Sequence, residues 1–233
     1  MDVAIFGCGG LGQMTQDILV QAGRWRPVAF LDSDPSKHAR EIDGVPVIGG
    51  LESLASVIAA GVSGVVVAIG DNRTRVSIAT ELERRGMRLV GAVHPLASIS
   101  PSARIAEHVI IGPRAIICVN AAVGPHSILA AGSIADHDTR IGAGCHLHPA
   151  SRLAGAVQVE DLATIGIGAC VIPACRIGAG ANVSAGAVVI RDVRPNETVA
   201  GVPAEPVCGS GSRFTPESPP VNFPPAGKVP TPA

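Results

Sequence analysis

From Val93 to Val189 every sixth residue is a branched aliphatic, with Ala135 the one exception. The series opens Val93, Ile99, Ile105, Ile111, Ile117 and runs unbroken to Val183 and Val189, seventeen positions in all. Four places after each member lies a second column of small or β-branched residues, from Ala97 and Ala103 through Ser127, Ser133 and Thr139 to Ala187 and Val193. Neither the 3.6 period of a helix nor the alternation of a strand yields a strict six. A parallel β-helix does, because each short strand and corner recurs and like side chains stack on successive rungs. Large aliphatics then fill the interior and the small column takes the crowded place beside them. Glycine directly after the aliphatic, at Gly112, Gly124, Gly142, Gly166 and Gly178, predicts a tight corner where a Cβ is costly.

Before residue 93 the pattern changes. Val3–Gly7 reads as a buried strand and Met14–Ala22 as a helix, with Gly7-Cys-Gly9-Gly10-Leu-Gly12 between them. A G-x-G-x-x-G loop lets backbone N–H groups approach a phosphate at a helix N-terminus. A second strand, Val28–Leu31, ends at Asp32, where dinucleotide folds place a ribose-binding acid. A helix at 51–60, a strand at 65–69, a helix at 74–85 and a strand at 88–93 complete a small parallel sheet. Gly70 and Asp71 follow the third strand at the sheet's carboxyl edge, where ligands bind in open α/β sheets. Against this stands the plain reading that the loops only make turns and Asp32 caps a helix. Ninety residues hold one mononucleotide half, so a sugar nucleotide fits better than NAD. The expected organisation is a half-Rossmann α/β domain over 1–92, a β-helix over 93–204 and a Pro-rich, disordered tail over 205–233.

Composition narrows the partners. With 233 residues and a formal net charge of −1, nothing calls for nucleic acid. Mean hydropathy is positive at +0.38, but the apolar positions are dispersed and no run approaches the roughly 20 residues of a membrane span. The start of the chain has no basic leader, so a cytoplasmic location is expected. Six cysteines lack paired metal spacing, and Cys145 and Cys175 fall in the small column as core residues.

Candidate chemistry gathers where the repeat falters. Ala135 is followed by Asp136-His137-Asp138, a charged cluster inside a dry periodic stack. Histidine accepts a proton near neutral pH, and a carboxylate beside it fixes the tautomer and supports the imidazolium. His126 and His148 read as exposed corner residues, whereas His137 reads as functional. His137, His146 and His148 also raise a metal site, but their spacing does not by itself assemble three ligands.

These pieces, with Val67-Ala-Ile-Gly-Asp-Asn72, His94-Pro95, Leu153-Ala-Gly155 and Gly201-Val-Pro-Ala204, carry a resemblance. Residues 123–204 resemble the hexapeptide-repeat acyltransferases, and the chain to about residue 207 resembles the NeuD group of sugar acetyltransferases. That group includes sialic acid O-acetyltransferases and the N-acetyltransferases of bacillosamine and perosamine nucleotides. The resemblance implies a left-handed coil, a homotrimer, and acetyl-CoA in the groove between neighbouring subunits, with no metal. It implies His137 as general base, Asp138 as its orienting acid, and the Gly155 amide as donor to the thioester carbonyl. His146 would lie near the acetyl group; Ile167, Gly168 and Ala185 would line the CoA arm. Gly9, Gly10, Asp32, Gly70 and Asp71 would form the nucleotide pocket.

Two positions depart from the group: it often has His or an aromatic where this chain has Leu11, and its nucleotide-sugar members often carry Asn where this chain has Ala130. The expected reaction is acetyl transfer to the amine of a nucleotide-linked sugar, in bacterial surface-glycan synthesis. The alternatives are O-acetylation of a sugar hydroxyl and a non-catalytic binding protein with a relic site.

Overall fold

The computed structural model describes residues 1–207. Most of the segment expected to be disordered, and Cys208 with it, lies outside the described residues. Its first residues do not follow that expectation: Glu205–Pro206 forms a strand antiparallel to Thr198–Ala200 and closes the end of the coil.

The α/β part runs β1 (Asp2–Phe6), α1 (Gly10–Ala22), β2 (Arg26–Leu31), β3 (Glu41–Ile42), β4 (Val45–Pro46), α2 (Leu54–Ala59), β5 (Gly64–Val67) and α3 (Asn72–Arg84). Its parallel sheet has the order β2-β1-β5. Ile18 and Leu19 of α1 pack on one face, and Leu54, Val57, Ala79 and Leu82 of α2 and α3 on the other. Hydrophobic alternation and turn residues foretold most of this, but α1 begins four residues earlier than its periodicity indicates, at the glycine loop itself. The hairpin of β3 and β4 was not foreseen, although Asp43-Gly44, both at positive φ (45° and 78°), is the residue pair such a turn demands.

The expected fourth strand over 88–93 does not form. Leu89 makes a single bridge to Val65, after which Ala92–Val93 pairs with Ile110–Ile111 as the first rung of the coil. Gly91 permits that departure: a Cβ there would stand 2.7 Å from the Val109 carbonyl oxygen.

From Val93 onward the chain is a left-handed β-helix of about six turns. Each member of the six-residue column ends a two-residue strand, and each strand pairs in parallel with the one a full coil later, as Ile117 with Ala135 and Leu129 with Leu147. Three sheets result, and from Val109 on both columns lie in the buried core between them, whereas Val93 on the first rung is exposed. The corner chemistry is shifted from the expectation. The left-handed residue stands three places after the aliphatic, at His108, Arg114, Asn120, His126, Gly132, Asp138 and Gly144 and so on down the coil. The glycines directly after the aliphatic serve close approach instead: a Cβ at Gly112 would meet the Ala131 nitrogen at 2.8 Å, and one at Gly124 the Gly142 carbonyl carbon at 2.6 Å.

The α1 face of the α/β part sits on the eight-stranded sheet. Ala92, Ile110 and Ile128 point outward from that sheet into the α/β core. Further along the same row come His146, Thr164 and Asn182. One wall of the coil therefore passes from an apolar seat to a polar groove.

Arg75 fastens the two parts. It is 1% exposed. Its guanidinium donates to the carbonyls of Ile69 and Gly70, to Asn72 Oδ1, and across to the carbonyls of His126, Gly144 and Cys145, at 2.7–3.2 Å. Among the described residues no carboxylate pairs with it, and burial pulls its pKa down to about 10. Asn72 adds bonds from Nδ2 to the Leu162 and Ala163 carbonyls and to Thr164 Oγ1. Among the described residues no helix is long and apolar enough to cross a membrane.

Arg75→Met should orphan several buried acceptors, each costing about 1–3 kcal/mol. Denaturant titration should show the variant less stable by at least ~3 kcal/mol, on the same scale, with Arg75→Lys recovering only part. A variant as stable as the parent would remove Arg75 as the fastening.

Candidate active site

Each six-residue rung of the coil has a backbone N–H, two places after the aliphatic, that the ladder does not use. Proline occupies that place at Pro113, Pro125, Pro149 and Pro173, which costs no hydrogen bond. His137 and Gly155 hold the same place on successive coils. Among the described residues nothing accepts a hydrogen bond from the Gly155 N–H.

The His137 ring lies across Gly155, so closely that a Cβ there would fall inside the ring's van der Waals envelope, nearest Nε2 and Cε1. Its Nδ1 is 2.9 Å from Asp138 Oδ2, and Asp138 Oδ1 accepts from Asn120 Nδ2 at 3.1 Å. With Nδ1 donating to the carboxylate, Nε2 keeps its lone pair on the Gly155 side. The Asp138 hydrogen bond, aided by the charge of Asp136, raises the His137 pKa above the ordinary 6.5. The same bond, with that from Asn120, holds Asp138 below the ordinary carboxylate range. Contrary to the expectation of a cluster inside the stack, these groups stand on the rim: His137 and Asp138 are 55% and 54% exposed. The reason is geometric, since the second and third places of each turn form the outer corner. Asn120, one coil before Asp138, escaped the sequence reading because only the stacking brings it there.

His146 lies on a different sheet. It is buried and stacks on His148 with ring centroids 3.8 Å apart, and its Nδ1 is 3.4 Å from the Gly70 carbonyl oxygen. Burial, then the neighbouring His148 and Arg75, pulls its pKa down to about 3, so it is neutral at pH 7. His148 and His126 are both half-buried, with pKa values lowered by burial, and not the exposed corner residues expected. Within one chain His146 shares no hydrogen bond or ring contact with His137. Beyond His148 opens a groove of about 300 Å³ lined by Thr164, Ile167, Asn182, Ser184 and Ala185. Ile167 stands 58% exposed on its edge. Gly168 follows at φ 66°, in the same left-handed corner that His126 and Asp138 hold on other rungs, and a Cβ there would meet nothing within 4 Å.

The third locus is a cavity of about 460 Å³ at the carboxyl edge of the α/β sheet, lined by Gly9, Gly10, Leu11, Asp32, Lys37 and Gly70 among others. The four glycines of the loop have different reasons. A Cβ on Gly7 would meet the Ala68 carbonyl oxygen at 2.6 Å, and one on Gly12 would collide with the Gly7 carbonyl. Gly9 and Gly10 face open space, so nothing inside the chain demands glycine there. They leave the start of α1 bare toward the cavity, as an anion requires.

Asp32 does not cap α1. Burial opposes its charge, yet the amides of Cys8 and Asp34, the Cys8 thiol and Lys37 together bring its pKa to about 2. The Cys8 thiol is in turn pushed up to about 11 by burial and by Asp32. Lys37 had no place in the sequence reading. Asp71 stands apart from the cavity: it caps α3 by accepting from the Thr74 amide at 2.8 Å and faces a smaller recess with Arg73 and Thr164. Ala130 is buried behind the coil wall.

Comparison with known proteins agrees with this layout. Residues 2–82 match the PglD N-terminal domain family. A mutant of perosamine N-acetyltransferase from Caulobacter crescentus, solved with CoA and GDP-perosamine, superimposes with a TM-score of 0.85 at 40% identity, over 89% of this chain and 97% of that one. The acetyltransferase domain of PglB from Neisseria gonorrhoeae, solved with acetyl coenzyme A, gives 0.82 at 29% identity, over 88% and 98%. Among curated proteins, an acyl-[acyl-carrier-protein]–UDP-N-acetylglucosamine O-acyltransferase from Alkalilimnicola ehrlichii is 46% identical over 70 residues, 30% of this chain and 27% of that protein. The chain spans only 22% to 29% of the length of the curated relatives it matches.

Gly155→Ala should leave the coil intact, because the exposed His137 ring can swing aside, but it should break the bond to Asp138. NMR titration of the imidazole should then show the His137 pKa falling toward 6.5. An unchanged titration would mean that the ring does not depend on the bare Gly155 surface.

Proposed function

The chain belongs to the NeuD-type sugar acetyltransferases of the hexapeptide-repeat family, and from that premise we propose that it moves acetyl from acetyl-CoA to the amino group of a nucleotide-linked amino sugar. The observation that carries this reading is the His137–Asp138 dyad laid over Gly155. A base with its lone pair free and an uncommitted amide N–H stand side by side.

The sugar's nitrogen attacks the thioester carbonyl carbon, and its proton goes to His137 Nε2. Asp138 stabilises the imidazolium so formed, and Asn120 holds Asp138. The negative charge that develops on the carbonyl oxygen is met by the Gly155 N–H. As the C–S bond breaks, the proton passes from His137 to the departing CoA sulfur, leaving an acetamide and free CoA.

The nucleotide sits in the cavity of the α/β part, with its phosphates on the Gly9–Gly10 loop and Lys37 and its ribose near Asp32. CoA lies along Ile167, Gly168 and Ala185, with neutral His146 near the acetyl group. His137 stands on a corner of the coil and His146 on a sheet away from it, so a homotrimer in which one subunit's dyad faces its neighbour's groove is the assembly that unites them. The reaction takes place in the cytoplasm, as a step in building a bacterial surface glycan.

A general base contributes about 10²–10⁴-fold, so His137→Ala should lose that much turnover while still binding CoA. Assayed by CoA release, amino sugars on a nucleotide should react and their hydroxyl analogues should not. The reverse preference would favour O-acetylation, and unchanged turnover would exclude His137. The base must be neutral to act, so the acid limb of kcat/KM should lie above pH 6.5. Asp138→Asn removes the charge that favours the imidazolium and should move that limb to lower pH.

A further inference from the structure

Near the C-terminal end of α3 a separate group of side chains meets at the junction of the two parts. His108 and His126 occupy the same left-handed corner on successive coils, at φ 63° and 60°, with ring centroids 5.2 Å apart. Glu83, from the last turn of α3, faces them. His108 Nδ1 is buried without a hydrogen-bond partner among the described residues. Its nearest acid oxygen, Glu83 Oε1, is 3.7 Å away, too far for a hydrogen bond. One ligating atom from each of Glu83, His108 and His126 lies within 4.8 Å of the other two. A buried nitrogen with no partner, aimed at a carboxylate it does not reach, leaves room for something between them.

We propose that Glu83, His108 and His126 bind a divalent transition-metal ion, zinc foremost, which ties the end of α3 to the coil. Two imidazoles and one carboxylate form a donor set that suits zinc, with water in the fourth position. Ligand atoms around tetrahedral zinc stand roughly 3.3 Å apart. Closing from the present spacing, within 4.8 Å for all three atoms, takes a rotation of Glu83, whose side chain is 46% exposed, together with small turns of the two imidazoles. Burial lowers the pKa of both imidazoles, which keeps them in the neutral, ligating form at pH 7. Arg75, bonded to the His126 carbonyl, is the opposing positive charge. Glu83 and Glu107, the latter 3.6 Å from His108 Nε2, offset it. The site shares no residue with the His137 dyad or with the two grooves, and its role is structural.

The test is to strip the full chain with a chelator and titrate Zn²⁺ by calorimetry and thermal shift. Glu83→Gln and His126→Asn are run beside it, and His137→Ala serves as the control for adventitious binding at the dyad. The parent should take up one ion per chain and melt higher when loaded. Glu83→Gln should bind at least about tenfold more weakly and His126→Asn not at all, while His137→Ala should behave as the parent. The proposal is overturned if zinc leaves the melting point unchanged, if Glu83→Gln binds zinc as tightly as the parent and shifts as far, or if the shift disappears in His137→Ala. Glu83 is on the surface, so its variant keeps the test valid even should His126→Asn fail to fold.

Discussion

Six acceptors around one guanidinium decide how the molecule is put together. The Arg75 head group is sealed from water and satisfied almost wholly by backbone carbonyls, three of them belonging to the coil. Carbonyl oxygens on a β-helix corner are fixed by the ladder, so they give the arginine a rigid template. Ile69 and Gly70 are held by the same side chain, which sets the floor of the cavity at the sheet's carboxyl edge at a defined height above the coil. His146 reads that height through the Gly70 carbonyl. The fastening and the proposed active groove are thus one connected polar network, and a disturbance at the junction reaches the chemistry directly.

The coil contributes precision of another kind. Residues a full turn apart are aligned by parallel pairing, so side chains distant in sequence come together with little freedom to drift. Asn120, Asp138 and His137 over Gly155 are held by that stacking alone, without a buried pocket to confine them. An exposed histidine would ordinarily sample many rotamers. Here the carboxylate on one side and the bare glycine surface beneath narrow the choice.

How legible was this in the chain itself? The six-residue period gave the coil, because aliphatic and small columns have no other economical explanation. The lapse at Ala135 pointed to His137 and Asp138, and the family resemblance singled out Gly155, one coil onward. What escaped were contacts that depend on how two independent patterns dock. Arg75 looks like any charged helix residue until the carbonyls of residues 126, 144 and 145 are brought to it. Lys37 ends a 3₁₀ turn whose placement over Asp32 no periodicity encodes. The glycines after the aliphatics were read as corners, since a period locates a special backbone position only to within a few residues. The left-handed residue turned out to be one that histidine, arginine, asparagine and aspartate can occupy as well as glycine.

That freedom of the corner and the strictness of the column together constrain how such a chain can change length. A gain or loss of six residues would keep every aliphatic indoors and cost the core almost nothing. It would also carry everything downstream around to the next side of the prism, parting His137 from Gly155 if it fell between them. Only whole coils of eighteen can be added or removed there without dismantling the pair, so the proposed catalytic pair behaves as a ruler against which insertions in this stretch are measured.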